Sequence, residues 1–175
     1  MDFASSRALI VGLLHHFFDL VPADWLDAVT ESTVTDIERV ERLGTGGGDD
    51  LLYTIHLAQA ENLPERYRSR LKKRIFEAVP EVFVSDPEQW DSYVIAPLKI
   101  APLPNFMVVD LLNDDLQNHL DYLIGKQHVD GSWHPTWSWA GTFPDAWKRA
   151  KQEWQGVLTY EALLTLYSYD RIMLD

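Results

Sequence analysis

Tyr122-Leu123-Ile124-Gly125-Lys126-Gln127-His128-Val129-Asp130-Gly131-Ser132-Trp133 is the stretch on which the reading of this chain turns. Upstream of it, Val109, Leu112, Leu116, Leu120 and Leu123 recur at three- and four-residue steps. That spacing lines up one apolar face of a helix starting near Val108. Gln127 falls on the same face, four residues after Leu123. A primary amide aimed at a core must find hydrogen-bond partners, because leaving it unsatisfied costs about 1–3 kcal/mol. Asp130-Gly131 then supplies a turn in which glycine accepts positive φ, and Trp133 returns a ring towards the helix end. The expected unit is a staple. The Gln127 amide caps free backbone groups of a neighbouring helix end, and the Trp133 indole stacks over it.

Working outward, the remaining segments also read as helical. Ala8 to Phe18 is apolar almost all round, which predicts a first helix, capped by Ser5 or Ser6 and running to about Leu20, buried on several sides. Its eleven or so residues are too few for a membrane span, which needs about 20. His15 and His16 are adjacent, so on a helix they point about 100° apart and cannot chelate one ion together. Ala23 to Leu43, Asp49 to Ala60 and Pro64 to Val79 continue the helical series. Gly44-Thr45-Gly46-Gly47-Gly48 lacks a following Gly-Lys-Ser/Thr and follows a helix, so it is a loop and not a phosphate cradle. Arg66, Arg68, Arg70, Lys72, Lys73 and Arg74 interleave with Tyr67, Leu71, Ile75 and Phe76 as the solvated side of an amphipathic helix. Asp86-Pro87-Glu88-Gln89-Trp90 predicts a short capped helix, and Pro97, Pro102 and Pro104 an extended, packed-down connection. After the loop Trp133-His134-Pro135-Thr136-Trp137-Ser138-Trp139, one helix is expected through Trp147 to Trp154 and another from Leu158 to Ile172. No β-alternation appears. The fold class is all-α, in one domain spanning residues 1–175.

Composition narrows the function. The 175 residues carry 27 acidic against 15 basic side chains, a formal charge of −12. Such a chain is repelled by nucleic-acid phosphates and anionic membrane surfaces. There is no cysteine, so no disulfide, thiolate nucleophile or thiolate metal site. No metal and no cofactor is called for. The start, Met1-Asp2-Phe3, has no basic region of a signal peptide, and a cytoplasmic protein is expected. Seven Trp, seven Tyr and seven Phe exceed what a core of this size needs, so some aromatics are expected to serve a ligand.

Tyr122, Leu123, Gln127, Gly131 and Trp133 also resemble the QW repeat of the terpene cyclase and prenyltransferase superfamily, best known in squalene-hopene-type triterpene cyclases. The pattern occurs once in full, and Trp154 to Leu164 looks like the start of a next inner helix. The resemblance covers roughly Phe106 to Ile172 and implies a partial α/α toroid. A full toroid of that superfamily has about a dozen helices in two rings, whereas seven or eight can be found here. The uncovered flanks imply a homodimer with the first helix in its interface, or the rest of a larger toroid.

The family's chemistry does not carry over cleanly. Leu112 stands where the Asp-x-Asp-Asp acid motif needs its first aspartate, ahead of Asn113, Asp114 and Asp115. Asp49-Asp50 lacks its third aspartate, Tyr53 standing in that place, and suits a helix N-terminus instead. The zinc site of protein prenyltransferases needs a cysteine. Two readings follow. One is a protein that binds, and cyclises or otherwise transforms, an isoprenoid- or polyene-like molecule in a pocket walled by Trp133, Trp137, Trp139, Tyr160 and Tyr167. Aromatic faces stabilise cations by about 2 kcal/mol when desolvated, and His134, Asp114 or Asp110 would act as acid or base. The other is a non-catalytic binding or assembly domain whose aromatics pack helices.

Overall fold

Gly12 marks a close approach between two helices. It lies on α1 (Phe3–His16) against α3 (Asp49–Ala58), and a Cβ placed there would stand 3.3 Å from the Leu57 Cα. A side chain there would press on the α3 backbone by a few tenths of an ångström, and glycine avoids this. The computed structural model describes residues 3–45 and 48–173, so Met1, Asp2, Gly46, Gly47, Leu174 and Asp175 lie outside the described residues. Among the described residues the chain is all-helical. The other α-helices are α2 (Ala23–Arg39), α4 (Glu65–Val82), α5 (Pro97–Ile100), α6 (Val109–Gly125) and α7 (Pro144–Ser168). Single 3₁₀ turns occur at Phe18–Leu20 and Pro87–Gln89.

Helices α1 to α4 pack into the main core, α1 against α2 and α3, and α4 against both of these. On α4 the buried residues Tyr67, Leu71, Ile75, Ala78 and Val79 recur at three- and four-residue steps, which is the face the sequence spacing predicts. The four α4 arginines bind other groups of the protein. Arg68 donates to the carbonyls of Ala58, Ala60 and Leu63, and Arg74 to that of Val40. Both thus satisfy carbonyls left over where α3 and α2 end. Arg66 pairs with Asp27, and Arg70 with Glu31 and Glu38. The helix continues one turn beyond the expected end at Val79, because Pro80 removes a single N–H without preventing helical φ. On the other side of the core, buried His15 meets the Thr30 hydroxyl at 3.0 Å, while His16 is exposed.

Three expectations are corrected. The first helix stops at His16, already includes Ser5 and Ser6, and buries one side only: Ile10, Leu13, Phe17 and Phe18 are exposed. Next, the residues from Pro144 to Ser168 form one uninterrupted helix, so Gly156 does not separate two. A lone glycine costs a helix only about 1 kcal/mol, too little to break one anchored on both sides. Finally, α6 is kinked at Asn113, whose φ of 39° and ψ of −119° are not helical. Asp110 and Asp114, the two acid–base candidates on this helix, therefore stand before and after the kink.

Past Leu116, α6 leaves the main core. Leu112 and Leu116 belong to it, but Leu120 joins Trp133, Ala162 and Leu166 in a second, smaller cluster with α7. The lower end of α7 is fastened by the Tyr169 hydroxyl, which donates to the Ala101 carbonyl at 2.8 Å, and by an Arg171–Asp121 ion pair. Burial of that phenol pushes its pKa up to about 12.

Candidate functional site

The turn after α6 is held differently from the staple expected. Trp133 is buried, and its indole N–H donates to the Leu123 carbonyl at 2.8 Å. The tryptophan itself therefore caps the end of α6. Gln127 is exposed, and its amide donates to the Gly131 carbonyl at 3.0 Å, inside its own turn. Helix α6 ends at Gly125, so the periodicity that aimed Gln127 at a core does not reach it. Gly131 has φ of 82°, as an Asp-Gly turn of this kind requires. Trp133 is also tied to α7, its backbone N–H donating to the Thr159 hydroxyl at 3.1 Å. Turn, α6 and α7 thereby become the three walls of one cleft.

The cleft has a volume of about 380 Å³ and takes in Leu98 of α5, His119, Tyr122 and Leu123 of α6, Lys126 just past its end, and Leu158, Glu161, Ala162 and Thr165 of α7. The loop contributes His128, Trp133, His134, Pro135, Thr136 and Trp137. Such a size sits towards the low end of small-molecule pockets, roughly 300–1,000 Å³. The lining mixes apolar and aromatic side chains with polar ones.

Each polar group has a definite setting. His128 and His134 stack with ring centroids 3.6 Å apart and planes within 10° of parallel. Ser132 donates its hydroxyl to Asp130 at 2.7 Å, and His134 Nε2 lies 3.0 Å from the same oxygen. With its proton given to Asp130, the serine oxygen accepts from His134. A serine nucleophile needs the reverse, with histidine accepting from the hydroxyl, so Ser132 and His134 make no nucleophilic pair. The Ser132 hydroxyl and backbone N–H together hold the Asp130 carboxyl below its ordinary range. At another side of the cleft Lys126 pairs with Asp91, which lowers the Asp91 carboxyl and raises the ammonium. His119 is neutral, burial pushing its pKa down to about 4.

Of the residues singled out from the sequence, Trp133, His134 and Trp137 meet at this cleft, with Tyr122 and Leu123 of the repeat beside them. Trp139 instead packs on Trp147 at 5.4 Å and borders a separate depression near Phe143. Tyr160 and Tyr167 are exposed on α7 away from the cleft, and Asp110 and Asp114 are exposed on α6. His119, Lys126, Asp91 and Glu161 were not singled out. A signal existed: His119, Tyr122 and Lys126 share one side of α6 at three- and four-residue steps, as Leu158, Glu161, Ala162 and Thr165 do on α7. Asp91 had none, being brought in by the fold. Among the described residues no cluster of histidine and carboxylate side chains could hold a metal ion, and no helix is long and apolar enough to cross a membrane. No family model, no curated protein and no solved structure matches the chain, so what the cleft can do rests on its own geometry.

Proposed function

We propose that this protein binds an apolar, isoprenoid- or polyene-like small molecule in the cleft between α6, the 133–139 loop and α7. The observation that carries the reading is the cleft lining, in which Trp133, Trp137, Leu98, Leu123 and Leu158 stand together with a smaller set of charged and polar groups. Burying apolar ligand surface there contributes about 25 cal/mol per Å². The Trp133 indole on the end of α6 and the single Gln-Gly-Trp turn support treating this unit as one repeat of a partial α/α toroid. If the ligand is transformed, His134 is the acid–base group of the three proposed that faces it. The test is quenching of tryptophan fluorescence on titration with polyenes and isoprenoid diphosphates. Saturable quenching that disappears in Trp137→Ala supports the reading, and absence of saturable quenching by any of them removes it.

A second reading, assembly, is favoured by a specific observation. Ile10, Leu13, Phe17, Phe18 and Leu20 near α1, and Tyr160, Leu163, Leu164 and Tyr167 on α7, are large and exposed. Contiguous apolar patches beyond a few hundred Å² are unusual on monomers. The proposed occupant of the α1 face is a second copy of the chain. Sedimentation equilibrium at micromolar concentration should give twice the chain mass, falling to the chain mass in Leu13→Glu. A wild-type monomer would remove this reading.

A further inference from the structure

His119 enters the cleft with its hydrogen bonding already set. The backbone N–H of Leu98 donates to its Nδ1 at 3.1 Å. A backbone amide can only donate, so Nδ1 keeps its lone pair and the single ring proton belongs on Nε2. Trp90 lies against the ring with centroids 4.2 Å apart, and is itself held by its indole N–H on the Val84 carbonyl at 2.7 Å. Turning the imidazole over would place a C–H against the Leu98 amide. His119 lines the cleft, and Nε2 has no hydrogen-bond partner among the described residues. The result is a neutral N–H donor, fixed in place, for which the chain supplies no acceptor.

We propose that His119 is the polar recognition point of this cleft, its Nε2–H donating to a carbonyl-type oxygen on an uncharged apolar ligand. This rests on the reading of the cleft as a ligand site. The lining sets the ligand class. Its body must be apolar to match Trp133, Trp137, Leu123 and Leu158. Its head must be uncharged: Lys126 is neutralised by Asp91, and Glu161 leaves a carboxylate that repels phosphate or carboxylate groups. A carbonyl oxygen, which only accepts, matches a group that only donates. Burial keeps the imidazole neutral at ordinary pH, so it offers this donor throughout. A ligand without the oxygen leaves the N–H desolvated and unpaired, and this is where selectivity arises.

The probes are β-ionone, a polyene ketone, and the hydrocarbon of the same skeleton with the carbonyl oxygen replaced by a methylene. Both are titrated into the full chain, wild type and His119→Phe, with tryptophan fluorescence as the readout. The wild type should bind the ketone about tenfold more tightly than the hydrocarbon. In His119→Phe the ketone should fall to the hydrocarbon's affinity, while the hydrocarbon's stays as it was. Equal binding of the two by the wild type overturns the donor role and leaves the cleft reading standing. Binding of neither removes the cleft reading, and the inference with it. Geranyl diphosphate binding more tightly than β-ionone overturns the uncharged class. Because His119→Phe orphans the Leu98 amide and could fail to fold, ring ¹⁵N spectra of the wild type provide a second decision. A proton on Nε2 whose resonance shifts with β-ionone and not with the hydrocarbon is expected, and a proton on Nδ1 overturns the proposal.

Discussion

The α1–α4 core and the α6–α7 cleft are both helical, yet they are held together by different means. In the core, each helix contributes an apolar face, and Leu51, Ile55, Leu57, Leu71 and Ile75 are fully buried. Arginines on α4 then secure the ends of α2 and α3. In the cleft region the buried cluster is only Leu120, Trp133, Ala162 and Leu166. Its geometry depends on individual hydrogen bonds: the Trp133 indole to Leu123, the Trp133 amide to Thr159, and Tyr169 to Ala101. A densely packed body tolerates little change in volume. A cleft between elements joined by a few directed bonds can hold a ligand, and its stability is correspondingly local.

The largest effect should come from charging the core. Leu71→Asp places a carboxylate where no partner exists, at a cost of several kcal/mol, and should abolish the cooperative thermal transition followed by circular dichroism. A native-like melt would mean that this cluster is not what sustains the fold. Next is Trp133→Ala, expected to cost about 3–5 kcal/mol but within the cleft region alone. Hydrogen exchange should show amides of α7 losing protection while those of α3 and α4 keep theirs. Uniform loss across the chain would erase the distinction between the two regions.

A third, smaller effect is pH dependence arising on the cleft side. The folded pKa of His119, about 4, lies below the ordinary 6.5, so between these values the unfolded chain binds more protons. Its contribution is therefore complete above about pH 6.5 and is lost as pH falls towards 4, on the order of 2–3 kcal/mol. Urea titrations across that window should show the loss, reduced in His119→Gln. An unchanged slope would mean the ring is not buried as described. Smallest is Gln127→Ala, expected below about 1 kcal/mol because its bond to Gly131 is exposed. Combined with Trp133→Ala it should be additive to within about 0.5 kcal/mol. Stronger coupling in the double-mutant cycle would reinstate the staple of Gln127 and Trp133.

Much of the core was legible because helical periodicity is local: the Tyr67, Leu71 and Ile75 spacing defines a buried face before any neighbour is known. The boundaries were less so. Pro80 lies inside a helix and Gly156 inside another, since a single unfavourable residue is outweighed by packing on either side. Gln127 was misplaced by extending a period two residues past the last helical turn. On the site, the aromatic density of residues 133–139 pointed to the right loop, and His134 and Trp137 do line the cleft. That density could not show that Trp139 turns away to Trp147.

By itself, then, the sequence determined the all-helical class, the buried face of α4, the turn at Asp130-Gly131 and the absence of thiolate chemistry. Each follows from residue type and spacing along one segment. Tertiary structure alone decided which polar groups share the cleft. Asp91 reaches Lys126 from 35 residues away, and Leu98 sets the His119 tautomer from 21 residues away. It also decided that Arg68 and Arg74, expected on the solvated side of α4, close helix ends. The physical reason is the same throughout. Periodicity is a property of one helix, whereas a hydrogen bond between distant residues exists only after packing has brought donor and acceptor within about 3 Å.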